Sequence, residues 1–286
     1  MPPEPVSGAG GTFPLGGDLR VARLGFGALR ILGANGFGPP RDRAQALAVL
    51  RRAVDLGITL IDTADSYGPG ISEELIAEAL HPYPADLVIA TKGGFIRPRG
   101  NWIADGRPAH LRQALDGSLR RLRRDRIDLY QLHTVDPKVP IEESMGALAE
   151  LQHQGKIRHL GVSNVTVEEL RRARTVARIV SVQNRYNIAD RDTDDVVDAC
   201  AREGLGFLPW RPLGTRGGGR ARGDTLRAVA KQHGATPAQV ALAWLLRRSP
   251  VMLPIPGTGS PEHLDENAGA TGLRLSDEEY QQLAAA

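Results

Sequence analysis

Residues 127–163 of this 286-residue chain read IDLYQLHTVDPKVPIEESMGALAELQHQGKIRHLGVS. The segment starts with an apolar run, Ile127–His133, and ends with another, Ile157–Ser163. Nearly continuous runs of Val, Ile and Leu are typical of strands buried on both faces. Between the two runs, Glu142–Gln154 has a helical pattern. A strand, a helix and a second strand in this order predict a parallel βαβ unit.

The same alternation continues on both sides of this unit. Further strands are predicted at Arg23–Gly27, Thr59–Asp62, Leu87–Thr91, Ile179–Gln183, Gly206–Pro209 and Val251–Ile255. Further helices are predicted at Arg41–Leu56, Ser72–Leu80, Pro108–Arg124, Val167–Val176, Thr193–Arg202, Asp224–His233 and Pro237–Arg247. Repeated βα units of this number predict an α/β protein with a (β/α)8 TIM barrel. Such a barrel takes about 250 residues, so we expect residues 1–286 to form a single domain.

The segment before the first predicted strand has a different pattern. Thr12–Leu15 and Leu19–Ala22 are short runs on either side of Gly16-Gly17, which predicts a β-hairpin. We expect this hairpin to cap the amino-terminal end of the barrel, and residues 1–10 to be flexible. An open doubly wound sheet is the alternative fold. It is less favoured because Gly25-Phe26-Gly27-Ala28 lacks the third glycine of the dinucleotide-binding turn.

Composition narrows the classes of function. The formal charge is only +3, and no Lys/Arg tract is interleaved with aromatic residues, so no nucleic-acid partner is expected. No apolar run approaches the roughly 20 residues of a membrane span, and the first residues do not resemble a signal peptide. The one cysteine, Cys200, excludes an internal disulfide and a multi-cysteine metal site. We therefore expect a cytoplasmic protein without a metal; its oligomeric state stays open.

Four polar residues follow the ends of predicted strands, where the chemistry of a barrel takes place. They are Asp62, Tyr67, Lys92 and His133. Taken singly, Asp62 fits a helix cap, Tyr67 a loop anchor, Lys92 a lysine whose ammonium reaches solvent, and His133 a structural residue. Lysine is rare in this Arg-rich chain, occurring only at positions 92, 138, 156 and 231, so a lysine at a strand end suggests a need for a compact charge.

Together these four residues suit the reduction of a carbonyl group. Such a reaction needs a hydride donor and an acid for the oxygen that becomes negative. Tyrosine, with an ordinary pKa of about 10, is a weak acid, but a nearby ammonium favours the phenolate. We therefore expect Lys92 to make the phenol of Tyr67 more acidic, Asp62 to hold Lys92, and His133 to orient the carbonyl.

At this point the sequence resembles the aldo-keto reductase superfamily along nearly its whole length. The resemblance rests on motifs that occur in the family's order and spacing. They are Ile61-Asp62-Thr63-Ala64 with Tyr67-Gly68, Ala90-Thr91-Lys92, Asp128–His133, Gly155–Arg158 with Gly161–Asn164, Val182-Gln183-Asn184, and Ile255–Thr258 with Glu266-Asn267. The resemblance implies a hairpin-capped barrel and a catalytic tetrad of Asp62, Tyr67, Lys92 and His133, with Tyr67 as proton donor.

The resemblance also implies a nicotinamide cofactor and its contacts. Ser163, Asn164 and Gln183 are implied to bind the nicotinamide carboxamide, and Trp210 to stack on the ring. Arg211, Leu213 and Thr215 are implied to contact the pyrophosphate through their backbone, and Gly27, Ala28 and Leu29 to lie beside the ribose. The adenosine end is implied to lie at Gly257, Thr258, Ser260, His263, Glu266 and Asn267.

That adenosine end departs from the family's pattern. Many relatives have Lys and Arg where this chain has Gly257 and His263, and a neutral His is a weaker phosphate partner than Arg. NADP(H) is expected from the family, with NAD(H) as the alternative. Within the family, residues 36–41 and 183–187 resemble pyridoxal-reductase-like bacterial members, which makes pyridoxal one candidate among small aldehydes and ketones.

The loops at the same end of the barrel are expected to select the substrate. Trp102 is a candidate wall of the pocket, and the Gly-rich segment Thr215–Gly223 is either a strap over the pyrophosphate or a solvated loop. Two other functions occur on barrels of this kind. A cofactor-binding regulatory subunit with little turnover has the same fold, but the intact tetrad favours an enzyme. A metal-dependent hydrolase is disfavoured because no His-x-His pair ends a strand.

Overall fold

The computed structural model describes Val6, residues 10–214 and residues 220–285. The expected flexibility of residues 1–10 therefore lies almost entirely outside the described residues. Seven parallel strands form one curled sheet in the order β11-β10-β9-β8-β5-β4-β3. Their bounds are β3 Phe26–Gly27, β4 Leu60–Asp62, β5 Val88–Gly93, β8 Ile127–Leu132, β9 Ile157–Ser163, β10 Ile179–Gln183 and β11 Gly206–Phe207.

An eighth segment, residues 251–256, closes this sheet into a barrel. On one side Leu253 donates a backbone hydrogen bond to Phe207 of β11, at 2.8 Å. On the other side Gly25 donates to the carbonyl of Pro254, at 2.9 Å. Pro254 and Pro256 have no N–H to donate, which interrupts the regular ladder of hydrogen bonds in this segment. The segment therefore pairs with β11 only through an isolated bridge between Phe207 and Met252. The expected (β/α)8 barrel is confirmed.

The amino-terminal hairpin has the predicted bounds. Thr12–Leu15 (β1) pairs antiparallel with Leu19–Ala22 (β2) across Gly16-Gly17. Leu15 is fully buried beside Gly206, at the amino end of β11: a Cβ on that glycine would lie 2.9 Å from a Leu15 methyl group. Ala22 also donates its backbone N–H to the hydroxyl of Thr59, just before β4. The hairpin therefore covers the amino-terminal end of the barrel, as expected.

Helices surround the sheet. Their bounds are α1 Arg43–Asp55, α2 Ile71–Leu80, α3 Pro108–Leu122, α4 Ile141–His153, α5 Val167–Val176, α6 Asp194–Glu203, α7 Arg220–Gln232, α8 Pro237–Arg248, α9 Pro261–Gly269 and α10 Asp277–Ala285. Two of them begin with reciprocal capping boxes, Thr166 with Glu169 and Thr236 with Gln239, which fix where the helices start. No helix among the described residues is long and apolar enough to cross a bilayer.

Several predicted bounds need correction, among them Gly206–Pro209, where the strand is only Gly206–Phe207. The strand predicted at Arg23–Gly27 is only Phe26–Gly27, because Arg23 instead donates its backbone N–H to Gly11 beside the hairpin. Helix α7 begins at Arg220, so the last residues of Thr215–Gly223 are helical rather than loop, and residues 215–219 lie outside the described ranges. A hairpin of Phe95–Ile96 (β6) and Ile103–Ala104 (β7), and helices α9 and α10, were not predicted.

Candidate active site

A cavity of about 1130 Å³ opens at the carboxyl ends of the strands. Asp62 ends β4, Lys92 lies in β5, and His133 follows β8, so parallel neighbours bring these three residues to one edge of the sheet. Tyr67 comes from the loop between β4 and α2. Asp62, Tyr67 and His133 line the cavity. The structure therefore brings the four predicted residues together.

Lys92 and Asp62 form a buried ion pair beneath the cavity. The Lys92 ammonium donates to Asp62 Oδ2 at 2.7 Å and to the backbone carbonyl of Thr63 at 2.8 Å. The Lys92 side chain is fully buried and that of Asp62 is 3% exposed. Burial opposes the charged form of Lys92, but Asp62 and Tyr67 outweigh it and raise the pKa of Lys92. Lys92 is therefore a fixed cation.

Tyr67 lies next to this cation. The Lys92 Nζ is 5.2 Å from the centroid of the Tyr67 ring. Burial raises the pKa of Tyr67, and this effect exceeds the lowering by the charge and hydrogen bonding of Lys92. Lys92 thus acts in the expected direction, but the net pKa of Tyr67 is raised because burial outweighs it. Lys92 only reduces the increase that burial causes, and Tyr67 stays protonated at neutral pH.

His133 lies on the other side of Tyr67, with 5.8 Å between the two ring centroids. Burial, together with the positive charges of Lys92 and Arg97, holds the pKa of His133 well below its ordinary value of 6.5. The imidazole is therefore neutral at neutral pH. Its Nδ1 lies 3.3 Å from the hydroxyl of Ser66. If Nδ1 accepts from that hydroxyl, Nε2 carries the ring proton and is a hydrogen-bond donor.

Aromatic side chains form the wall above these polar groups. Trp102, from the β6–β7 loop, is 41% exposed and its ring centroid is 6.2 Å from that of Tyr67. Phe95 meets both Trp102 and His133 edge to face, at 5.2 and 4.8 Å. Trp210 lines the same cavity. The predicted pocket residue Trp102 is therefore beside the tetrad, in a setting that suits a flat apolar substrate.

The three residues expected at the nicotinamide are linked by hydrogen bonds. Gln183 Nε2 donates to Asp62 Oδ1 at 2.8 Å, which ties this group to the tetrad. Asn164 Nδ2 donates to the backbone of His133 and to Ser163 Oγ, and Asn164 Oδ1 accepts from the Trp210 indole at 2.9 Å. The side-chain amides of Gln183 and Asn164 therefore have fewer groups free for a ligand than their residue types suggest. One N–H of Gln183 and several oxygen lone pairs remain available to accept or donate hydrogen bonds.

The other expected cofactor residues are divided between the cavity wall and its surroundings. Gly27, Leu29, Arg211, Leu213 and Gly257 line the cavity. Ala28 is fully buried behind the wall, and Thr215 lies outside the described residues.

The expected adenosine end lies around the start of α9. Ser260 caps this helix by accepting from the backbone N–H of His263, and Thr258 accepts from the backbone N–H of Ser260. His263 is exposed, Glu266 is half-buried and Asn267 is buried. These five residues do not line the cavity itself. They follow or flank Gly257 and Gly259, which do line the cavity, and residues 257–267 contain no Lys or Arg.

Sequence reasoning missed a basic residue at that end. Arg30 lines the cavity, and a Cβ added to Gly257 would lie 3.3 Å from Arg30 Cγ and 2.5 Å from the carbonyl oxygen of Gly27. There is therefore no room for a side chain at position 257, and the Arg30 side chain occupies the space next to this glycine. Arg41 lines the same end. Both arginines lie in the loop after β3, and the path of this loop depends on contacts with residues distant in the sequence, such as the backbone hydrogen bond from Gly38 to Gly68.

Other cavities and side-chain clusters do not resemble this site. A second cavity, of about 580 Å³, lies near the amino ends of the strands, between residues 18–20, 81–88 and 123–128. It contains none of the four predicted residues. Within the described residues, no three or more His, Cys, Asp or Glu side chains are grouped as in a metal site.

Comparison with known proteins agrees with this geometry. A family model described as the aldo/keto reductase family matches residues 23–286. The pyridoxine 4-dehydrogenase of Escherichia coli (strain K12) is 47% identical over 274 residues, covering 93% of this chain and 95% of the relative.

Solved structures share the barrel. A glycerol dehydrogenase from Gluconobacter oxydans has 29% sequence identity and a TM-score of 0.87, covering 97% of this chain and 95% of the other. An aldo-keto reductase from Klebsiella pneumoniae in complex with NADPH has 31% identity and a TM-score of 0.81, covering 96% and 94%. The resemblance inferred from the strand-end motifs is confirmed, and the chain belongs to the aldo/keto reductase family.

Proposed function

We propose that this protein reduces small aromatic aldehydes, such as pyridoxal, with NADPH, and that Tyr67 donates the proton. One observation carries the proposal: Tyr67 and His133 lie side by side in the cavity wall, as a protonated phenol and a neutral imidazole, with the fixed ammonium of Lys92 buried next to Tyr67. Membership in the family already makes the chain an oxidoreductase of carbonyl compounds. The cofactor, the substrate and the role of each residue are our inferences from the geometry.

Each member of the tetrad has one task in the proposed reaction. The carbonyl oxygen gains negative charge as a hydride reaches its carbon, and Tyr67 gives it a proton. The Lys92 ammonium stabilises the phenolate that Tyr67 becomes, and Asp62 keeps Lys92 in place. His133 donates a hydrogen bond to the carbonyl oxygen through Nε2 and fixes its orientation. In the reverse direction Tyr67 accepts the proton of the alcohol.

The cofactor proposal rests on the donor set. A bound dihydronicotinamide supplies the hydride. Its carboxamide has two N–H donors and one oxygen, which match the free lone pairs of Ser163 and Asn164 and the remaining N–H of Gln183. At the far end Arg30 offers a guanidinium where relatives of this fold have Lys or Arg on the last strand. We assign NADP(H) because that cation suits a phosphate.

The aromatic wall supports the choice of substrate. Phe95, Trp102 and Trp210 offer ring faces and edges that suit a planar ring, and aromatic contacts of this kind contribute about 0.5–1.5 kcal/mol each. A relative with 47% identity is a pyridoxine 4-dehydrogenase. A pyridine aldehyde therefore fits both the lining of the cavity and the chemistry of that relative.

The test is a steady-state assay that follows NADPH absorbance at 340 nm with pyridoxal and 4-nitrobenzaldehyde. Tyr67→Phe is expected to lower kcat about 100- to 10,000-fold, since it removes the acid, while the dissociation constant of NADPH stays within about twofold. Tyr83→Phe is the matched control, because Tyr83 lies at the second cavity. Wild-type turnover in the Tyr67 variant would refute the acid assignment.

The alternative function is a regulatory subunit with the same fold. It predicts NADPH binding without loss of absorbance for either aldehyde. The intact Asp62–Lys92 pair next to a protonated Tyr67 favours the enzyme, because a protein that only binds the cofactor has no need of a proton donor.

A further inference from the structure

Arg97 is a buried arginine beside the active site whose role neither the motifs nor the tetrad explains. It follows β6, is 6% exposed, and does not belong to any motif quoted above. Among the described residues, no carboxylate lies within 4.0 Å of its guanidinium. A buried cation without an acidic partner costs free energy unless its N–H groups are otherwise satisfied.

Backbone carbonyls from three separate loops satisfy this guanidinium. Nε and Nη2 donate to Gly100 in the β6–β7 loop, at 3.1 and 3.0 Å. Nη1 donates to Ser66, the residue before Tyr67, at 3.3 Å. Nη2 also donates to Asn35, in the loop after β3, at 3.4 Å. One side chain therefore joins the three loops that surround the substrate side of the cavity.

The same guanidinium lies between two aromatic rings. Its Cζ is 3.7 Å from the centroid of the Trp102 ring and 5.4 Å from that of Phe37. Both rings belong to the loops that Arg97 joins, and both are more than a third exposed, at 41% and 38%. A guanidinium stacked on an aromatic face is attracted by the ring's electrons, so Arg97 holds both rings as well as the loops.

We infer that Arg97 is a positioning residue that sets the substrate specificity of the cavity by holding Phe37 and Trp102 in place. This inference rests on the proposed function. The hydrogen bonds of Arg97 go to backbone carbonyls and not to the side chains of Tyr67, Lys92 or His133. Its charge has a smaller effect on the pKa values of Tyr67 and His133 than burial and Lys92 have, so we expect the chemistry to depend on Arg97 much less than the wall does. The aromatic wall of the cavity does depend on Arg97. Without this residue, Trp102 would be held in place mainly by the short β6–β7 hairpin. A planar aromatic aldehyde uses this wall, whereas a small aliphatic aldehyde does not reach it.

The experiment compares two substrates and three variants. Arg97→Met keeps an apolar stem but removes the guanidinium. Arg97→Lys keeps the charge but not the fork that reaches several carbonyls. Arg99→Met is the matched control, since it removes a positive charge from the same loop at an exposed position. KM and kcat are measured for 4-nitrobenzaldehyde and for propanal, and the dissociation constant of NADPH is measured by fluorescence.

In both Arg97 variants, KM for 4-nitrobenzaldehyde is expected to rise about tenfold, as for the loss of one or two hydrogen bonds and a ring contact. The kcat of both substrates, the KM of propanal and the NADPH dissociation constant are expected to stay within about twofold. Amide exchange of residues 34–38 and 98–104 is expected to become faster. Arg99→Met is expected to leave all of these unchanged.

Two results would overturn the inference. In the first, Arg97→Lys restores the wild-type KM, which means that charge alone suffices. In the second, Arg97→Met matches Arg99→Met both in KM and in amide exchange. A failure of the proposed function is distinguishable, because the wild-type protein would then reduce neither aldehyde. If the Arg97 variants unfold, Trp102→Ala takes their place, with the same expected rise in KM for the aromatic substrate only.

Discussion

Replacing Lys92 with Met tests whether the buried ion pair organises the site. The change leaves Asp62 buried, 3% exposed, with only the amides of Gln183 and Gln131 near Oδ1, at 2.8 and 3.5 Å. Removing one partner of a buried pair typically costs about 3–5 kcal/mol, because the remaining charge is uncompensated. We expect Lys92→Met to lower the free energy of unfolding by that amount and to abolish most of the aldehyde reduction.

Urea denaturation followed by circular dichroism measures this loss. The double variant Asp62→Asn with Lys92→Met removes both charges, so it is expected to be more stable than the sum of the two single losses by about 2 kcal/mol or more. Lys156→Met is the control, because Lys156 pairs with Asp116 at 2.8 Å, close to the 2.7 Å between Lys92 and Asp62, but with side chains 37% and 45% exposed. Such a surface pair contributes at most about 1 kcal/mol. Equal losses for Lys92→Met and Lys156→Met would refute the reasoning.

Three other predictions concern single residues. Arg30→Ala is expected to raise the dissociation constant of NADPH about tenfold, as for the loss of one charge-assisted hydrogen bond, while that of NADH hardly changes; equal effects on both cofactors in a fluorescence titration would contradict the phosphate assignment. Burial and the nearby Glu73 raise the pKa of Asp65 from 3.8 to about 8, so the folded state binds a proton that the unfolded state releases, and the unfolding free energy falls as the pH rises from about 4 to 8. Asp65→Asn is expected to flatten this fall when urea midpoints are compared at pH 5 and pH 9; an unchanged slope would argue against it. Burial raises the pKa of Cys200 to about 12, so a thiol reagent at pH 8 is expected to react only after denaturation, and rapid labelling of the folded protein would contradict this.

Regular elements with strong local signals were predictable from the sequence. Ile157–Ser163 and Ile179–Gln183 have their predicted bounds, because apolar side chains occupy most of the buried positions in each strand. Val167–Val176 also matches, since Thr166 and Glu169 cap its start. The apolar residues of the closing segment, residues 251–256, correctly predicted that it pairs in the barrel. It is not a regular strand, because Pro254 and Pro256 cannot donate backbone hydrogen bonds.

Part of the candidate site was also predictable, namely the part carried by strands. Asp62, Lys92 and His133 follow strand ends, and parallel pairing brings such positions together. Arg30 and Arg97 were not predictable, because they lie in loops whose paths depend on tertiary contacts. The net direction of the Tyr67 pKa shift was not predictable for a related reason. The sequence indicates a neighbouring charge but not how completely the phenol is removed from water.

The closing segment makes the barrel depend on its last parallel element. Residues 251–256 bond to Gly25, just before β3, and to Phe207 in β11, which lie 226 and 44 residues before residue 251. A nascent chain that stops before residue 251 would leave both β3 and β11 with unpaired backbone groups, and bare strand edges of this kind favour aggregation. Proteolytic trimming at this point should therefore give insoluble protein rather than a smaller, partly active fragment, and residues 251–256 must be synthesised before the barrel can close.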